Sequence, residues 1–189
     1  MSTPKNGFQI HDKDDAPEGC GPILEKVQQG FGFVPNVIGV MAASPAATEA
    51  YTTLSQIVQT KTAFTPTEQQ VLLLTVSEHN GCDYCVAAHT GSAKRVSVDE
   101  SVIEALRAGK ALPDAKLEAL ATLARKLIDK KGWLDDADVK AFLDAGYSHQ
   151  QYLDALVVLA MKTISNYTNH AAETPLDPQL QPMALKKAS

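Results

Sequence analysis

Three side chains near the middle of the chain have the types and the spacing that thiol chemistry needs. Cys82 and Cys85 form a C-x-x-C pair, and His89 follows the second cysteine after four residues. On a helix these are positions i, i+3 and i+7, so all three side chains project from one face. Asn80-Gly81 predicts the end of one helix, which places Cys82 at the N-terminus of the next.

A thiol at a helix N-terminus has an electrostatic reason to ionise. The unpaired backbone N–H groups and the helix dipole there favour a thiolate over a thiol. His89, one turn after Cys85, can accept the thiol proton or hold an imidazolium beside the thiolate. The sequence therefore predicts a redox-active dithiol at the start of a helix.

Two other interpretations of the cysteines stay open. Free cysteines are often small buried apolar residues without a chemical role. Alternatively, two thiolates and His89 could bind zinc, with His79 or Glu78 as the fourth ligand. Structural zinc mostly stabilises folds that lack a large core, whereas 44% of this chain is hydrophobic. No flavin, nicotinamide or metal motif is visible, so we favour a mechanism whose only redox cofactor is the cysteine pair.

Other candidate residues carry weaker signals. Glu78 is as consistent with a proton carrier as with a surface carboxylate, and Glu68 is explained by helix capping. Cys20, between two glycines, is predicted to have no function, and Trp133 to be a packing residue at a helix junction. His170 lies in a polar patch that could line a site or a subunit contact.

Composition limits the classes of function. The chain has 189 residues and a net charge of -5, and no basic cluster, which argues against nucleic-acid binding. The N-terminus lacks the apolar region of a signal peptide, and no apolar run approaches the roughly 18 residues of a membrane span. We therefore expect a cytoplasmic protein, in which a C-x-x-C pair is more often redox-active or metal-binding than a structural disulfide.

The elements that must position the cysteines are helices. Strong start signals occur at Ser44-Pro45 and Thr65-Pro66, and capping boxes are predicted at Thr65, Ser97 and Ser148. Glycines 109, 132 and 146 mark helix ends. The predicted helices span residues 20–30, 35–43, 45–61, 66–79, 82–95, 98–108, 114–131, 136–145 and 149–172. No sustained alternation of apolar and polar residues occurs, so an all-α fold of about nine helices without a significant sheet is expected.

The apolar pattern also predicts which helices are buried and how the chain divides into segments. Residues 71–76 and 153–161 are apolar almost all round, which predicts two interior helices. We expect an irregular N-terminal segment over 1–19, a helical domain over 20–173 and an extended, partly mobile tail over 174–189.

The segment from Asn80 to Thr90 reads N-G-C-D-Y-C-V-A-A-H-T. It resembles the core motif of the carboxymuconolactone decarboxylase superfamily, in its AhpD-like alkylhydroperoxidase or peroxidase-related branch. The resemblance extends over roughly residues 20–180 and includes segments at 32–36, 44–47, 145–148 and 166–177. The decarboxylases of the superfamily lack the cysteine pair, so the pair selects the redox branch over a lactone or decarboxylase activity.

The resemblance implies an AhpD-like helical fold, a trimeric or hexameric homo-oligomer and a thiol peroxidase mechanism. In that mechanism Cys85 attacks the hydroperoxide, Cys82 resolves the sulfenic acid into a disulfide, and His89 belongs to a proton relay. An external dithiol, of unknown identity, would restore the reduced state, and no membrane or nucleic-acid partner is implied. A general disulfide oxidoreductase and a non-catalytic zinc- or redox-responsive module are the alternatives.

Two positions depart from the family pattern. The relay glutamate, twelve residues before the first cysteine, is replaced by Gln70, and the histidine before the second cysteine is replaced by Tyr84. A glutamine cannot transfer a proton as a carboxylate does. The relay would then depend on Glu78 or on water.

Overall fold

The computed structural model describes residues 3–185, which form nine α-helices and one 3-10 helix without any β-strand. The α-helices are α1 (Gly21–Phe31), α2 (Asn36–Met41), α3 (Pro45–Lys61), α4 (Pro66–His79), α5 (Asp83–Arg95), α6 (Glu100–Arg107), α7 (Ala115–Asp129), α8 (Asp136–Asp144) and α9 (His149–Ala172). The predicted all-α class is confirmed, and every predicted helix is present with each end within two residues of its predicted position.

Local hydrogen bonds explain where the helices begin. The Thr65 hydroxyl accepts the N–H of Glu68, and the Glu68 carboxylate accepts the N–H of Thr65, which is the predicted capping box. The same arrangement opens α9 at Ser148. The box predicted at Ser97 is wrong, because this residue has a left-handed φ of 59° and Asp99, two residues later, caps α6 instead.

The two helices predicted to be interior differ in their burial. Residues 71–77 of α4 are all buried, and this helix packs against α3, α5, α6, α7 and α9. On α9, Val158 and Met161 are buried, but Leu153 and Leu156 are 61% and 39% exposed. The prediction is therefore right for α4 and wrong for the outer face of α9, which its own chain does not cover.

Buried apolar side chains form two clusters. The larger cluster fills the space between α3 and α9 around the central helix α4. The smaller cluster joins α1 and α2 to the start of α5, and it contains Cys20, Cys82 and Cys85. The cysteine motif is thus part of a packed interior.

The segment before α1 lies across α2. The N–H of His11 donates to the carbonyl of Gly39 at 3.0 Å. A Cβ atom at Gly39 would lie 2.7 Å from the Ile10 side chain and 2.8 Å from the His11 carbonyl oxygen. Glycine is therefore needed at this position for the two backbones to approach so closely.

The described part of the predicted tail, residues 174–185, is only partly extended, and residues 186–189 of that prediction lie outside the described residues. Pro178–Met183 forms a 3-10 helix that packs against α5. The Arg107 guanidinium donates to the carbonyls of Met183 at 2.9 Å and Ala184 at 3.2 Å. Proline is favourable at the start of a helical turn, since its missing N–H would have no partner there.

Trp133 is not the packing residue that the sequence predicted. It is 87% exposed, between α7 and α8, and the adjacent Leu134 packs against the larger cluster. Gly132 has a φ of 84° and reverses the chain directly before it. Among the described residues, no helix combines the length and the apolar character that crossing a membrane requires.

Candidate active site

The cysteine pair lies at the junction of α4 and α5. Gly81 turns the chain with a φ of 66°, and the N–H of Cys82 donates to the carbonyl of Ser77 at 2.8 Å. Cys82 is the N-cap residue of α5, as predicted, and Cys85 lies in its first turn. Both are free thiols, 2% and 4% exposed, close enough for one to donate a hydrogen bond to the other.

One face of α9 presents polar groups to this pair. Lys162, Asn166 and Asn169 are spaced i, i+4 and i+7, and all three are buried. The Asn169 amide donates to the Cys85 Sγ at 3.2 Å and lies 3.7 Å from the Cys82 Sγ. The Lys162 Nζ is buried and has no hydrogen-bond partner within residues 3–185.

These surroundings favour a thiolate at one cysteine and a thiol at the other. A hydrogen bond from Cys82, the charge of Lys162 and the two asparagine amides hold the pKa of Cys85 well below its ordinary value, although burial opposes them. The same bond between the cysteines, together with burial, raises the pKa of Cys82. The electrostatic advantage of a thiol at the helix start therefore falls on Cys85, the cysteine to which the resemblance assigns the attack on the hydroperoxide, because at Cys82 these effects outweigh the favourable backbone N–H of Cys85.

His89 is a neutral imidazole in this environment. Its Nδ1 atom is buried and has no partner in the described part of the chain, although the residue as a whole is half-buried. Burial, and then the charge of Lys162, hold the pKa of His89 well below its ordinary value. Of its two predicted roles, the structure disfavours an imidazolium at neutral pH and favours a proton acceptor.

Tyr84, between the two cysteines, joins the motif to the segment after α9. Its hydroxyl donates to the buried Asp177 carboxylate and accepts the N–H of Val37 at 3.3 Å. Asp177 also accepts the N–H of Asn36 at 3.0 Å. Burial, and then Asp177, raise the pKa of Tyr84, so this hydroxyl stays protonated.

The residues considered as a replacement relay or as extra zinc ligands lie apart from the thiols. The Glu78 carboxylate faces Gly109, where an added Cβ would come within 2.6 Å of its Oε1 atom. The His79 Nε2 is 2.7 Å from an oxygen of Asp129. Within residues 3–185, no three His, Cys, Asp or Glu side chains are arranged to hold a metal ion.

Two further candidates are now located. His170 is exposed on the outer face of α9, where the centroid of its ring lies 6.2 Å from the centroid of the stacked Tyr167 ring. It therefore does not line the site. Cys20 is fully buried in the smaller cluster, and its thiol donates to the carbonyl of Ala42 at 3.4 Å.

Lys162 is the site residue that sequence reasoning missed. It directly follows the apolar run 153–161, for which the sequence pattern predicts only an interior helix. The available signal was the i, i+4, i+7 spacing of Lys162, Asn166 and Asn169, which predicts a polar stripe on a helix that is otherwise apolar.

The fold and part of the sequence resemble those of known proteins. Residues 45–126 match the sequence profile of the Carboxymuconolactone decarboxylase family. The predicted resemblance to that superfamily is thereby confirmed. Among curated proteins, none has a sequence that matches this one.

Solved structures share the fold over nearly the whole chain. One is a peroxidase-related protein of Ralstonia eutropha JMP134, described as an alkylhydroperoxidase AhpD core, with 18% identity, 95% of each chain covered and a TM-score of 0.83. Another, a peroxidase-related protein of Silicibacter sp. TM1040, is 22% identical over 95% of this chain and 97% of its own, with a TM-score of 0.78. The debrominase Bmp8, in complex with 2,3,4-tribromopyrrole, is 17% identical over 96% and 97%, with a TM-score of 0.80. The AhpD-like fold is therefore confirmed, in a group whose described activities are diverse.

Proposed function

We propose that this protein is a cysteine-based peroxidase that reduces hydroperoxides through a dithiol–disulfide cycle of Cys85 and Cys82. The observation that carries the proposal is the buried pair of free thiols against the polar face of α9, with Cys85 favoured as the thiolate and Cys82 as the thiol. Asn169 donates to the thiolate at 3.2 Å, and Lys162 supplies a positive charge. The peroxidase-related descriptions of two proteins with the same fold support it.

The chemistry follows from the two protonation states. The Cys85 thiolate attacks one oxygen of the hydroperoxide, the O–O bond breaks, and the sulfur becomes a sulfenic acid, while the other oxygen leaves as an alkoxide and takes up a proton to become an alcohol. The Cys82 thiol then attacks the sulfenic acid, and its proton passes through His89 to the departing hydroxyl group, which gives a disulfide and water. Cys82 is the N-cap, with φ -94° and ψ 87°, and so lies outside the regular helix and can move toward Cys85.

Burial of both thiols supports a small substrate. A protein disulfide would have to reach sulfurs that are 2% and 4% exposed, which makes a general disulfide oxidoreductase the weaker alternative. A groove of about 480 Å³ runs beside Asp177 and is lined by Val34 and Leu176, which also pack in the cluster that contains the cysteines. Its apolar walls favour an organic hydroperoxide over hydrogen peroxide.

Completion of the cycle needs an external dithiol whose reduction potential is low enough to reduce the disulfide. The predicted cytoplasmic location would supply such reductants. If the protein is instead a zinc- or redox-responsive module, a different result is expected. Protein purified without added metal would then contain stoichiometric zinc and would not catalyse the reduction of hydroperoxides.

Rapid mixing of the reduced protein with an organic hydroperoxide tests the proposal. We expect loss of two thiols per hydroperoxide, with none in Cys85→Ser and a trappable sulfenic acid in Cys82→Ser. Free thiols are the appropriate readout, because the single tryptophan, Trp133, is exposed outside the site. Cys20→Ala is the matched control and should react like the unmodified chain.

Two outcomes would contradict this assignment. Absence of thiol loss in the unmodified protein would remove the peroxidase activity itself. Equal yields of sulfenic acid in Cys82→Ser and Cys85→Ser would leave the activity in place but remove the distinct roles of the two cysteines.

A further inference from the structure

A buried lysine in the candidate site has no part in the steps described so far. Lys162 is 1% exposed, and its Nζ forms neither a hydrogen bond nor a salt bridge with any of residues 3–185. Burial of an ammonium group is unfavourable unless an anion or hydrogen-bond acceptor compensates it. Such a group therefore requires a partner that appears during the reaction or in one protonation state of the site.

The titratable groups that Lys162 faces identify this partner. From α5 these are Cys82, Cys85 and His89. The charge of Lys162 acts to lower the pKa of each of them, although other effects raise the pKa of Cys82 on balance. Tyr51 of α3 also lies near the thiols, and burial and both cysteines raise its pKa. Of these groups, only Cys85 is stabilised as an anion, so its thiolate is the counter-ion of Lys162 in the reduced protein.

The peroxidase reaction also requires an acid, since the oxygen that leaves Cys85 departs as an alkoxide. Gln70, at the relay position, carries no acidic proton. His89 is neutral, and the hydroxyl of Tyr51 holds its proton tightly. The pKa of the Cys82 thiol is raised, and its proton is needed for the second step, so the Lys162 ammonium is the remaining acid whose charge acts on Cys85.

We propose that Lys162 donates the proton to the leaving oxygen of the hydroperoxide, in addition to holding Cys85 as a thiolate. This inference rests on the proposed function and deepens it. As the Cys85 Sγ bonds to one oxygen, the O–O bond breaks and its electron pair moves to the other oxygen, which takes a proton from the Nζ. The products are a sulfenic acid, an alcohol and a neutral amine.

Charge is conserved through the complete half-reaction. Cys82 displaces the hydroxyl group from the sulfenic acid, and the proton of its thiol completes a water molecule. The thiolate and the ammonium are thus replaced by a disulfide and an amine, with no proton taken from solvent. Burial of a lone ammonium is unfavourable once the thiolate is gone, so in this scheme the amine takes up no proton from solvent.

Proton counting on the unmodified protein tests this balance. The reduced protein is mixed with an alkyl hydroperoxide in weak buffer containing an indicator dye, while the ultraviolet absorbance of the thiolate is followed. We expect the thiolate absorbance to disappear with close to zero protons taken up per hydroperoxide. Uptake of one proton per hydroperoxide would overturn the proposal, because Lys162 would then have kept its proton.

Variants separate the two roles of Lys162. In Lys162→Arg the positive charge and the thiolate absorbance remain, but a guanidinium does not donate a proton. The rate of hydroperoxide reduction by Lys162→Arg should therefore fall by about 10²-fold or more when the alcohol that leaves is a very weak acid. The rate should fall much less when the leaving alcohol is more acidic. Lys162→Met should lose the thiolate absorbance at neutral pH, and Lys26→Met, at an exposed lysine of α1, should change neither property.

The possible failures are distinct. A Lys162→Arg protein that is as fast as the unmodified chain with every leaving group would overturn the proton-donor role. If the unmodified protein reduces no hydroperoxide, both the proposed function and the donor role are overturned. The thiolate absorbance of Lys162→Met and Lys162→Arg then decides the counter-ion role independently.

Discussion

At the Cys85 sulfur, the stabilisation of negative charge comes first from the hydrogen bond of Cys82 and then from side chains outside the helix that carries it. The Asn169 amide is 84 positions away in the sequence and 3.2 Å away in space. Lys162 and Asn166, from the same helix α9, act in the same direction. The position at the helix N-terminus, which alone would favour Cys82, therefore does not decide which cysteine carries the negative charge.

Removal of the Asn169 amide should make Cys85 less reactive. A hydrogen bond to a charged group contributes about 1.5–3 kcal/mol, so Asn169→Ala should raise the pKa of Cys85 and slow its alkylation at neutral pH about tenfold or more. The measurement is the rate of iodoacetamide modification against pH in the Cys82→Ser background. Thr163→Ala, on the exposed face of α9, should leave the profile unchanged, and an identical effect from both substitutions would contradict the interpretation.

The sequence located the reacting residues but not the residue that controls them. Cys82, Cys85 and His89 were identifiable because their spacing is local, within seven positions of one helix. The choice of thiolate depends on contacts between α5 and α9, which no local pattern encodes. Lys162 was missed for a related reason, since a lysine at the end of an apolar run is ordinarily a helix-terminal surface residue.

At the level of elements, the start of α5 is fixed by the segment that follows α9. Tyr84 donates to Asp177, and Asp177 also accepts the N–H of Asn36 at the start of α2. A single carboxylate thus joins three parts of the chain beside the cysteine pair. Burial raises the pKa of this carboxyl, although the bonds from Tyr84 and the Asn36 N–H oppose the shift.

Asp177 should make the stability of the protein depend on pH. Because its pKa is raised in the folded state, its contribution is fully present below the unfolded pKa of about 3.9 and is lost as the pH rises through the folded value. Asp177→Asn keeps an acceptor for Tyr84 without the charge and should raise the Tm at neutral pH by a few degrees, since 1 kcal/mol corresponds to about 2–4 °C at this size.

Thermal unfolding across the acidic and neutral range tests this prediction. The two proteins should converge below about pH 4, where Asp177 is protonated in both the folded and unfolded states. Asp14→Asn, at an exposed aspartate, is the control and should have a small effect. An Asp177→Asn protein that is less stable at neutral pH would show that the negative charge itself is needed.

Elements were predictable where their signals are local. The bounds of α4 and α9 follow from Thr65 and Ser148, whose side chains bond within their own first turns. The 3-10 helix Pro178–Met183 was missed because it is held by Arg107 of α6, far away in the sequence. Ser97 failed as a cap because Asp99 competes for the same helix start.

At the level of the whole molecule, the exposed face of α9 lacks a partner within the described chain. Leu153, Leu156, Tyr167 and His170 follow one line along the helix, and the first three are 61%, 39% and 60% exposed. The predicted homo-oligomer was argued from two interior helices, but α4 is fully covered by its own chain. The prediction now depends on the outer face of α9 and on the family resemblance.

We expect this face to bury itself against a second copy of the chain in a symmetric assembly, a trimer or a hexamer by resemblance. Light scattering at micromolar concentration should give a mass that is a multiple of 20.2 kDa. The double variant Leu153→Glu, Tyr167→Glu should dissociate the assembly, since a charge in an apolar interface is destabilising. Trp133→Glu, at an equally exposed aromatic away from α9, is the control, and a fully active 20.2 kDa species in the unmodified protein would contradict the prediction.

The 24 residues of α9 carry Lys162, Asn166 and Asn169 on one side and Tyr167 on the other. Each residue added to or removed from a helix rotates everything beyond it by about 100°. A single insertion between Lys162 and Asn169 would therefore turn Asn169 away from the Cys85 sulfur and carry the outer stripe out of line at the same time. The length of this helix is therefore constrained both by the contact with Cys85 and by the alignment of the outer face. Insertions and deletions are expected to be tolerated in the loops and to disrupt the site when they fall within α9.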